Sequence, residues 1–337
     1  MAFYETIQLE KGMYNNSKGF TETLESLDHS ENYRGTPLEG LDAYQRQLKR
    51  FDIHVSGRGS DRVEKFFQTG SSAALVPEYV CRAVRQGIEQ ENVLPQIVAT
   101  VTQIEGLDYR TITSTPSEDE KALKPVAEGA EIPQTVVRTQ DHLVKLHKRG
   151  RMLVASYEAI RFQKLDLFTV TLRQIGAYIA RAQMADAVEV LLHGDDGTDA
   201  AGEVSAAASG TLTYADLLSL WGALAPYRLD AILGGTAAVQ DVLKLDECRD
   251  AQAGLNFQGT GQLIAPMGAQ LLHVPDVPDG RLIGIDHTCA LEMVQAGDVQ
   301  VDADKLIDRQ LERAAVSTIT GFAKIFSGAV KVLKITA

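Results

Sequence analysis

The segment Glu105–Gln140 constrains the fold most, because it predicts a long two-stranded excursion with almost no apolar surface to bury. It is rich in threonine, serine, proline and acidic residues, and it carries a charged tip at Glu118–Glu120. Runs with high β propensity flank it on both sides. A hairpin of this composition is not stable alone in water. We therefore expect it to need another surface to lie on.

A long helical pattern follows and predicts one helix over Asp166–His193. At the standard rise per residue such a helix measures about 40 Å, which is unusual outside coiled coils. Gly194 stands where the pattern stops, as glycine often does at a helix end. The apolar residues that recur at helical spacing are Leu165, Phe168, Leu172, Ile175, Ile179, Met184, Val188 and Leu191.

The sequence from Thr213 predicts a compact α+β unit of about ninety residues, a plausible size for one domain. Thr213 and Asp216 form a capping-box-like start to a helix that Pro226 stops. A second helix is predicted from about Thr236 to Leu245. The predicted strands are Asp230–Leu233, Gln270–Val274, Leu282–Ile285, Ala290–Val294 and, near the end, Ala329–Ile335.

The region before the excursion begins with a polar segment, Met1–Gly59, in which only Leu38–Ile53 has a helical pattern. We expect this segment to bury little on its own and to pack on a neighbouring subunit or a partner. Pro77–Glu91 predicts an amphipathic helix with proline in its first turn. Gln96–Ile104 and Arg149–Ala155 predict the strands that flank the excursion.

Motifs for catalysis or cofactor binding are missing from the sequence. Neither a phosphate-binding GxxxxGK[ST] nor a nucleophile GxSxG occurs. The cysteines are widely spaced and form no CxxC, which predicts reduced thiols. The chain is therefore predicted not to be an enzyme and to hold no cofactor.

A metal site is not predicted either. Asp195, Asp196 and Asp199 lack the spacing of a calcium loop, so we interpret them as a solvated turn. His142 and His147 have no cysteine or carboxylate pair near them in the sequence to complete a ligand set.

The charge of the chain is strongly acidic but unevenly distributed. A formal net charge of −12 opposes nonspecific binding of nucleic acid by the molecule as a whole. One basic strip could contact a neighbouring subunit's acids or nucleic acid, or could equally be a solvated strand edge. Its members are Arg138, His142, Lys145, His147, Lys148, Arg149 and Arg151.

No run of eighteen apolar residues predicts a membrane span, and the N-terminus has no secretory signal pattern. We therefore expect a protein made in a cytoplasm, without a membrane partner. Its 45% hydrophobic content also argues against disorder of the whole chain.

The order of these parts resembles the major capsid proteins of tailed bacteriophages, the Hong Kong 97 type family. EGAEIP (Glu128–Pro133) is similar to the returning arm of that family's extended loop, and Met152–Glu158 to the strand and short helix before its spine helix. Asp166–His193 with its glycine turn looks like the spine helix itself. The N-terminal stretch Leu41–Lys65 looks like the family's N-arm. The resemblance covers nearly the whole chain.

The resemblance implies an α+β chain with a Hong Kong 97 type phage capsid fold. The N-terminal arm would occupy residues 1–70 and the first part of the peripheral domain residues 71–104. The extended loop would be 105–140, and the second peripheral part 141–212, with the spine helix at 166–193. The axial domain would be 213–300, and 301–337 would return to the peripheral domain.

The resemblance also implies a function: self-assembly into pentamers and hexamers of an icosahedral shell that encloses double-stranded DNA. The virion would be its destination and the bacterial host cytoplasm the place of assembly. A portal protein, nonspecifically bound DNA and, as an option, decoration proteins are further expected partners. Because Met1–Gly59 is too short for the founding member's scaffolding domain, a separate scaffolding protein is expected.

Contacts between subunits are expected where the loop and the basic strip meet neighbours. The candidates are Glu118, Asp119, Glu120, Glu128, Glu131, Lys148, Arg149 and Arg151. The alternative function is an encapsulin, a nanocompartment shell of the same fold that packages an enzyme. The polar arm and the basic strip favour a phage protein. An unrecognised enzyme would need a convergent polar pocket, for which the sequence gives no signal.

Overall fold

The computed structural model describes residues 4–15, 19–113, 125–126, 128, 132, 138–249, 268–306 and 311–335. Contacts divide the chain into two compact units. Unit 1 consists of Met1–Glu91, Arg149–Ala180 and Val299–Thr318. Unit 2 consists of Asn92–Lys148, Arg181–Asp298 and Ile319–Ala337.

The helices, in chain order, are α1 (Phe20–Leu27), α2 (Ala43–Arg50), α3 (Gly70–Ala73), α4 (Val76–Glu91), α5 (Tyr157–Phe162), α6 (Leu165–His193), α7 (Tyr214–Leu224), α8 (Thr236–Lys244) and α9 (Asp246–Arg249). Short 3-10 turns lie at Tyr4–Thr6, Lys11–Asn15, Ser30–Tyr33, Val63–Phe67, Leu94–Gln96 and Ser327–Ala329. In the part of the chain that the structure describes, none of the helices has the length and apolarity needed to cross a bilayer.

The strands are β1 (Thr100–Ile104), β2 (Ile112–Thr113), β3 (Arg138–Thr139), β4 (Leu146–Ser156), β5 (Gly202–Ser205), β6 (Ala231–Gly234), β7 (Gln270–His273), β8 (Arg281–Ile285), β9 (Leu291–Ala296), β10 (Gln300–Leu306), β11 (Leu311–Lys324) and β12 (Val330–Lys334). Helix α6 and strand β11 each contribute residues to both units.

Unit 1 is held together by the close crossing of α4 and α6. The two helices meet at Gly87 and Gly176, and a methyl group added at either position would overlap the backbone of the other helix, at Arg173 and Val84 respectively. Glycine is therefore required at this crossing because the backbones touch. The crossing belongs to an apolar core that includes Tyr79, Val84, Leu172 and Ile175.

The N-terminal segment also packs into the core of unit 1, which corrects the expectation that it buries little on its own. Ile7, Phe20, Leu24, Tyr44 and Leu48 are all buried there. The sequence pattern missed this because the buried residues are spread over short elements, with long polar stretches between them.

Hydrogen bonds and ion pairs also stabilise the packing of the N-terminal segment. The guanidinium of Arg46 is fully buried, donates to Asp28 Oδ2 at 2.8 Å and lies over the ring of Tyr33. Arg82 on α4 donates to Asp42 Oδ2 at 2.8 Å, which ties α4 to the start of α2. The N-terminal segment is thus fixed to its own unit at several points.

Unit 2 contains a five-stranded sheet in the order β5-β12-β8-β6-β7. Strand β12 is parallel to β5 and antiparallel to β8, while β6 is antiparallel to β8 and parallel to β7. Helices α7 and α8 pack on this sheet, and the apolar face of α7 buries Leu217, Leu220 and Leu224. Helices α7 and α8 and strands β6, β7 and β8 come from the predicted α+β unit, whereas β5 and β12 join the sheet from outside residues 213–300.

A second layer of unit 2 joins β1, β9 and the end of β11. Strand β1 runs parallel to β9, and β11 is antiparallel to it. The C-terminal half of α6 packs here through Met184, Val188 and Leu191, near Phe322 of β11. This layer carries the residues from which the excursion leaves.

Most of the predicted elements are found within one or two residues of their predicted bounds. The long helix runs over Leu165–His193, and Gly194 ends it with φ of 83°, the left-handed conformation that glycine adopts without strain. Strand β5 was missed because it lies in an Ala/Ser/Gly-rich stretch that predicts a linker. Strands β10 and β11 were missed as well.

Candidate intersubunit contact surfaces

The base of the excursion is a two-stranded ladder, as predicted. Strand β2 pairs antiparallel with β3, Ile112 opposite Thr139 and Thr113 opposite Arg138. Below this pair, Gln140 N donates to Thr111 O at 2.9 Å, and Val144 N donates to Tyr109 O at 2.8 Å. The outgoing and returning limbs are therefore joined by backbone hydrogen bonds.

The predicted acidic contact residues lie farther along the excursion. Glu118, Asp119, Glu120 and Glu131 fall outside the described residues. Glu128 is a turn residue with an exposed side chain.

A buried carboxylate fixes the outgoing limb. Glu292 on β9 is 4% exposed and accepts hydrogen bonds from three hydroxyls, those of Thr102, Tyr109 and Thr111. The donors offset the cost of burying this carboxylate. Burial, together with the bond to Glu292, raises the pKa of Tyr109. Sequence reasoning missed this cluster because Glu292 is far from its partners along the chain.

The returning limb meets the acidic end of α6. His142 Nε2 lies 2.9 Å from Asp195 Oδ2, and its Nδ1 lies 3.7 Å from Asp196 Oδ2. His147 Nδ1 lies 3.3 Å from Asp186 Oδ2. Two members of the predicted basic strip therefore face carboxylates of the same unit. Asp195 and Asp196 are consequently more than a solvated turn.

Hydrogen bonds also organise the turn itself. Asp196 Oδ1 accepts from the hydroxyl and the backbone N–H of Thr198, at 2.6 and 2.9 Å. These two bonds hold the pKa of Asp196 below its usual value. The side chain of Asp195 is 4% exposed.

Strand β4 carries the remaining basic candidates. Alternate residues of a strand face opposite sides, which places Arg149 and Arg151 together and Lys148 on the other side. Lys148 and Arg151 are exposed, and Arg149 is partly exposed. Gly150 between them lies against the backbone of Val316, so β4 runs close along β11. The structure thus divides the predicted strip between two faces. Arg138 is the strip's member on β3.

Large apolar side chains are exposed on three elements of unit 1, namely β4, α5 and the start of α6. Phe162 at the end of α5 is 66% exposed, and Leu167 and Val170 on α6 are about half exposed or more. Phe162 and Leu167 line one shallow pocket. Met152 and Val154 are exposed on β4. Exposed apolar side chains that adjoin, as Phe162 and Leu167 do in this pocket, are typical of protein–protein contact sites. Sequence reasoning did not single out these residues, because a single sequence does not show which apolar side chains the folded chain leaves exposed.

Comparison with solved structures identifies the fold. The chain is similar to the capsid of a native GTA particle, with 18% identity, a TM-score of 0.56, and coverage of 75% of this chain and 91% of that one. It is also similar to a virus-like particle from Pyrococcus furiosus, at 12% identity and a TM-score of 0.52, covering 76% of this chain and 98% of that one.

A third similar structure is an encapsulin complex from Synechococcus elongatus. It has 12% identity and a TM-score of 0.50, with 74% of this chain and 89% of that one covered. At these identities the likeness establishes a shared fold, which is the predicted Hong Kong 97 type.

The family follows from the sequence match. No curated protein sequence matches the chain significantly. A family model described as phage capsid protein matches residues 139–323, more than half of the chain. The matched stretch contains β4, α6 and every strand of the five-stranded sheet of unit 2 except β12. The chain therefore belongs to the phage capsid protein family, and it is a structural capsid protein with the predicted fold and not an enzyme.

Proposed function

We propose that this capsid protein forms pentamers and hexamers of a closed icosahedral shell that encloses double-stranded DNA. The observation that carries the proposal is the exposed apolar surface of Met152, Val154, Phe162, Leu167 and Val170 on unit 1. A monomer in water gains nothing from exposing these side chains, whereas burial against a neighbour would stabilise the contact by roughly 25 cal/mol for each Å² removed from water.

The extended loop, residues 105–140, is the occupant we propose for that surface, contributed by a second copy of the chain. Its base is fixed by the Glu292 cluster and by the β2–β3 ladder, so its direction is set before contact. Its acids Glu118, Asp119, Glu120, Glu128 and Glu131 would then meet the cations of the neighbour's β4. Lys148 lies on the face of Met152 and Val154, and Arg149 and Arg151 lie on the opposite face. Unlike charges steer such contacts and set their register.

The capsid domains divide the chain as the resemblance implies. In this proposal the N-terminal arm is 1–70, the peripheral domain 71–104 and 141–212, the axial domain 213–300, and 301–337 returns to the peripheral domain. A separate scaffolding protein, a portal protein and decoration proteins would be the further partners. Assembly would take place in the cytoplasm of the bacterial host.

Electron microscopy of the full chain, expressed alone and with its neighbouring genes, tests the shell. Uniform closed shells with five-fold and six-fold clusters are expected. Small oligomers under every condition would contradict the proposal.

The contents of the shell distinguish the second candidate. An encapsulin function is favoured by one observation, the similarity to the Synechococcus elongatus complex at a TM-score of 0.50. DNA inside purified shells is expected for the phage function. A packaged enzyme, with no DNA, would instead support the encapsulin.

Charge reversal tests the contact between loop and strand. Arg149→Glu with Arg151→Glu should leave the subunit folded but block shells, because like charges would then face the acidic loop of the neighbour. The matched control reverses two exposed cations off β4, Arg58→Glu with Lys244→Glu, and should assemble normally. Normal shells from the β4 variant, with circular dichroism equal to that of the parent, would refute this contact.

A further inference from the structure

The acidic end of α6 forms a pocket of about 400 Å³ within unit 2. Four carboxylates and one lysine are the charged groups among its described lining residues: Asp186, Glu189, Asp195, Asp196 and Lys145. The imidazoles of His147 and His193 line it as well. With neutral histidines the wall of the pocket has a charge of about −3, which attracts cations.

Two of the lining residues, Asp195 and Asp196, and the neighbouring His142 offer ligand atoms close to one another. One nitrogen of His142, one oxygen of Asp195 and one oxygen of Asp196 all lie within 4.8 Å of one another. The 2.9 Å between His142 Nε2 and Asp195 Oδ2 is close to the edge of an octahedron with bonds of about 2.1 Å. Among the described residues, no other group of three such side chains comes together in this way.

Asp195 is the buried member of the set. Its side chain is 4% exposed, and His142 is its polar partner at 2.9 Å, so the two ligand atoms are already held close together. The imidazole of His142 is 37% exposed. An ion at this place would have water on one side and the buried carboxylate on the other.

We propose that His142, Asp195 and Asp196 bind one divalent transition-metal ion, with water completing its coordination. An imidazole nitrogen with two carboxylate oxygens suits Zn²⁺, Mn²⁺ or Co²⁺ better than Ca²⁺ or Mg²⁺, which prefer oxygen ligands alone. This differs from the sequence-based prediction of no metal. Sequence spacing could not reveal the set, because His142 lies 53 residues from Asp195.

The position of the ion would make it a link in the capsid subunit. His142 belongs to the returning limb of the excursion, and Asp195 and Asp196 follow the end of α6. Metal binding would attach the returning limb to the C-terminal end of α6. The outgoing limb is held separately by its hydrogen bonds to Glu292. This structural role rests on the proposed function, whereas metal binding itself does not.

Titration with Co²⁺ tests the site directly, because coordinated Co²⁺ has visible absorption bands that report its ligands. The full chain is used without a histidine tag, after EDTA treatment and dialysis. One Co²⁺ per chain is expected, displaced by Zn²⁺. His142→Gln and Asp196→Asn should each weaken binding about ten-fold or more. Zn²⁺ should raise the unfolding temperature of the parent and not that of His142→Gln.

The matched control is His287→Gln. His287 Nδ1 lies 2.5 Å from Asp230 Oδ2 in the same unit, so this variant also removes a histidine paired with an aspartate. It should bind Co²⁺ like the parent. Absent binding, equal binding in His142→Gln, or equal loss in His287→Gln would each overturn the site. Circular dichroism establishes whether each variant is folded. If Asp196→Asn does not fold, the Co²⁺ affinity of His142→Gln alone decides the test.

Electron microscopy of the same samples keeps the two proposals apart. Shells that bind no Co²⁺ would overturn the metal site alone. Co²⁺ binding by a chain that never forms shells would overturn the proposed function alone.

Discussion

Asp216 is a buried carboxylate that organises the start of α7. It accepts hydrogen bonds from Ala207 N at 2.9 Å, Thr213 N at 2.8 Å and Thr213 Oγ1 at 2.6 Å. Burial raises the pKa of this carboxyl, but the three donors outweigh burial and hold the pKa below its ordinary value of 3.8. The ionised form is therefore the one that stabilises the folded state.

Asp216→Asn should lower the free energy of unfolding at neutral pH by about 1–3 kcal/mol, because an amide presents a donor to donors. A carboxyl with a depressed pKa in the folded state contributes stability above pH 3.8, which is lost as the pH falls through the folded pKa. The difference in the free energy of unfolding between parent and variant, measured by urea unfolding, should thus be largest at pH 7 and decrease below about pH 3.8.

The control for this prediction is Asp241→Asn on α8, where the carboxylate is 44% exposed and paired with Lys244. It should change stability by less than about 0.5 kcal/mol. A gap for Asp216→Asn that stays constant down to pH 2 would contradict the assigned role of the carboxylate.

The predictability of single residues depends on how far away their partners are. Thr213 with Asp216, and Gly194, were predicted because capping and helix ending are local. Glu292 and Arg46 were not, since their partners come from distant parts of the sequence. His142 was seen as part of a charge strip, but its carboxylates were found only in the structure.

The crossing of α4 and α6 is the element-scale feature that depends most on residue size. Gly176→Ala should lower the unfolding temperature clearly, since the added methyl group overlaps the backbone of α4 at Val84. Overpacking of this kind costs about 1–3 kcal/mol or more. Differential scanning calorimetry of the purified chain measures the effect.

Gly222→Ala on α7 is the matched control. It is the same substitution inside a helix, but nothing lies within 4 Å of the added methyl group. Alanine is the better helix former by about 0.5–1 kcal/mol, so this variant should be as stable as the parent or more so. Equal destabilisation by both substitutions would show that helix contact is not the cause.

Elements were predictable where their hydrophobic period was strong. Helix α6 keeps apolar residues at helical spacing over its whole length, so its bounds were predicted within a residue. Strands β10 and β11 pair with each other and have many polar residues, including Asp302, Asp304 and Arg313, so no apolar run marks them. Pairing between strands is a property of two segments, and one segment alone does not reveal it.

At the scale of the whole molecule, the N-terminal segment is the main departure from the expected architecture. Arg46→Met should loosen it, because Asp28, whose side chain is 1% exposed, would lose its buried cation. Removing one partner of a buried pair costs about 3–5 kcal/mol. Hydrogen exchange should therefore accelerate in α1 and α2 and stay unchanged in unit 2.

Arg34→Met is the matched control within the same segment. Arg34 and its partner Glu31 are both largely exposed, with 3.6 Å between their charged atoms, and exposed pairs of this kind contribute little. Exchange rates should match those of the parent. If Arg46→Met behaves in the same way, the buried pair is not what holds the segment.

The order of parts along the sequence was sufficient to predict the capsid fold and the structural role, both of which are confirmed. The domain boundaries and the charged contact residues stay predictions. Contacts between subunits involve residues that are exposed on a single chain, such as Phe162 and Leu167. The sequence of that chain does not show which exposed residues a neighbour covers. A hydrophobic pattern in the sequence only distinguishes the residues that are buried within the chain from those that are exposed.

The folding of the N-terminal segment onto its own unit bears on how fast and how accurately subunits can join. Segments that order only on binding lose about 2–5 kcal/mol of their interaction energy to that ordering. A subunit whose α1 and α2 already pack around Arg46 and Leu24 avoids this cost for that region. Each added copy can then be held by modest contacts, and a misplaced copy can dissociate before its neighbours trap it.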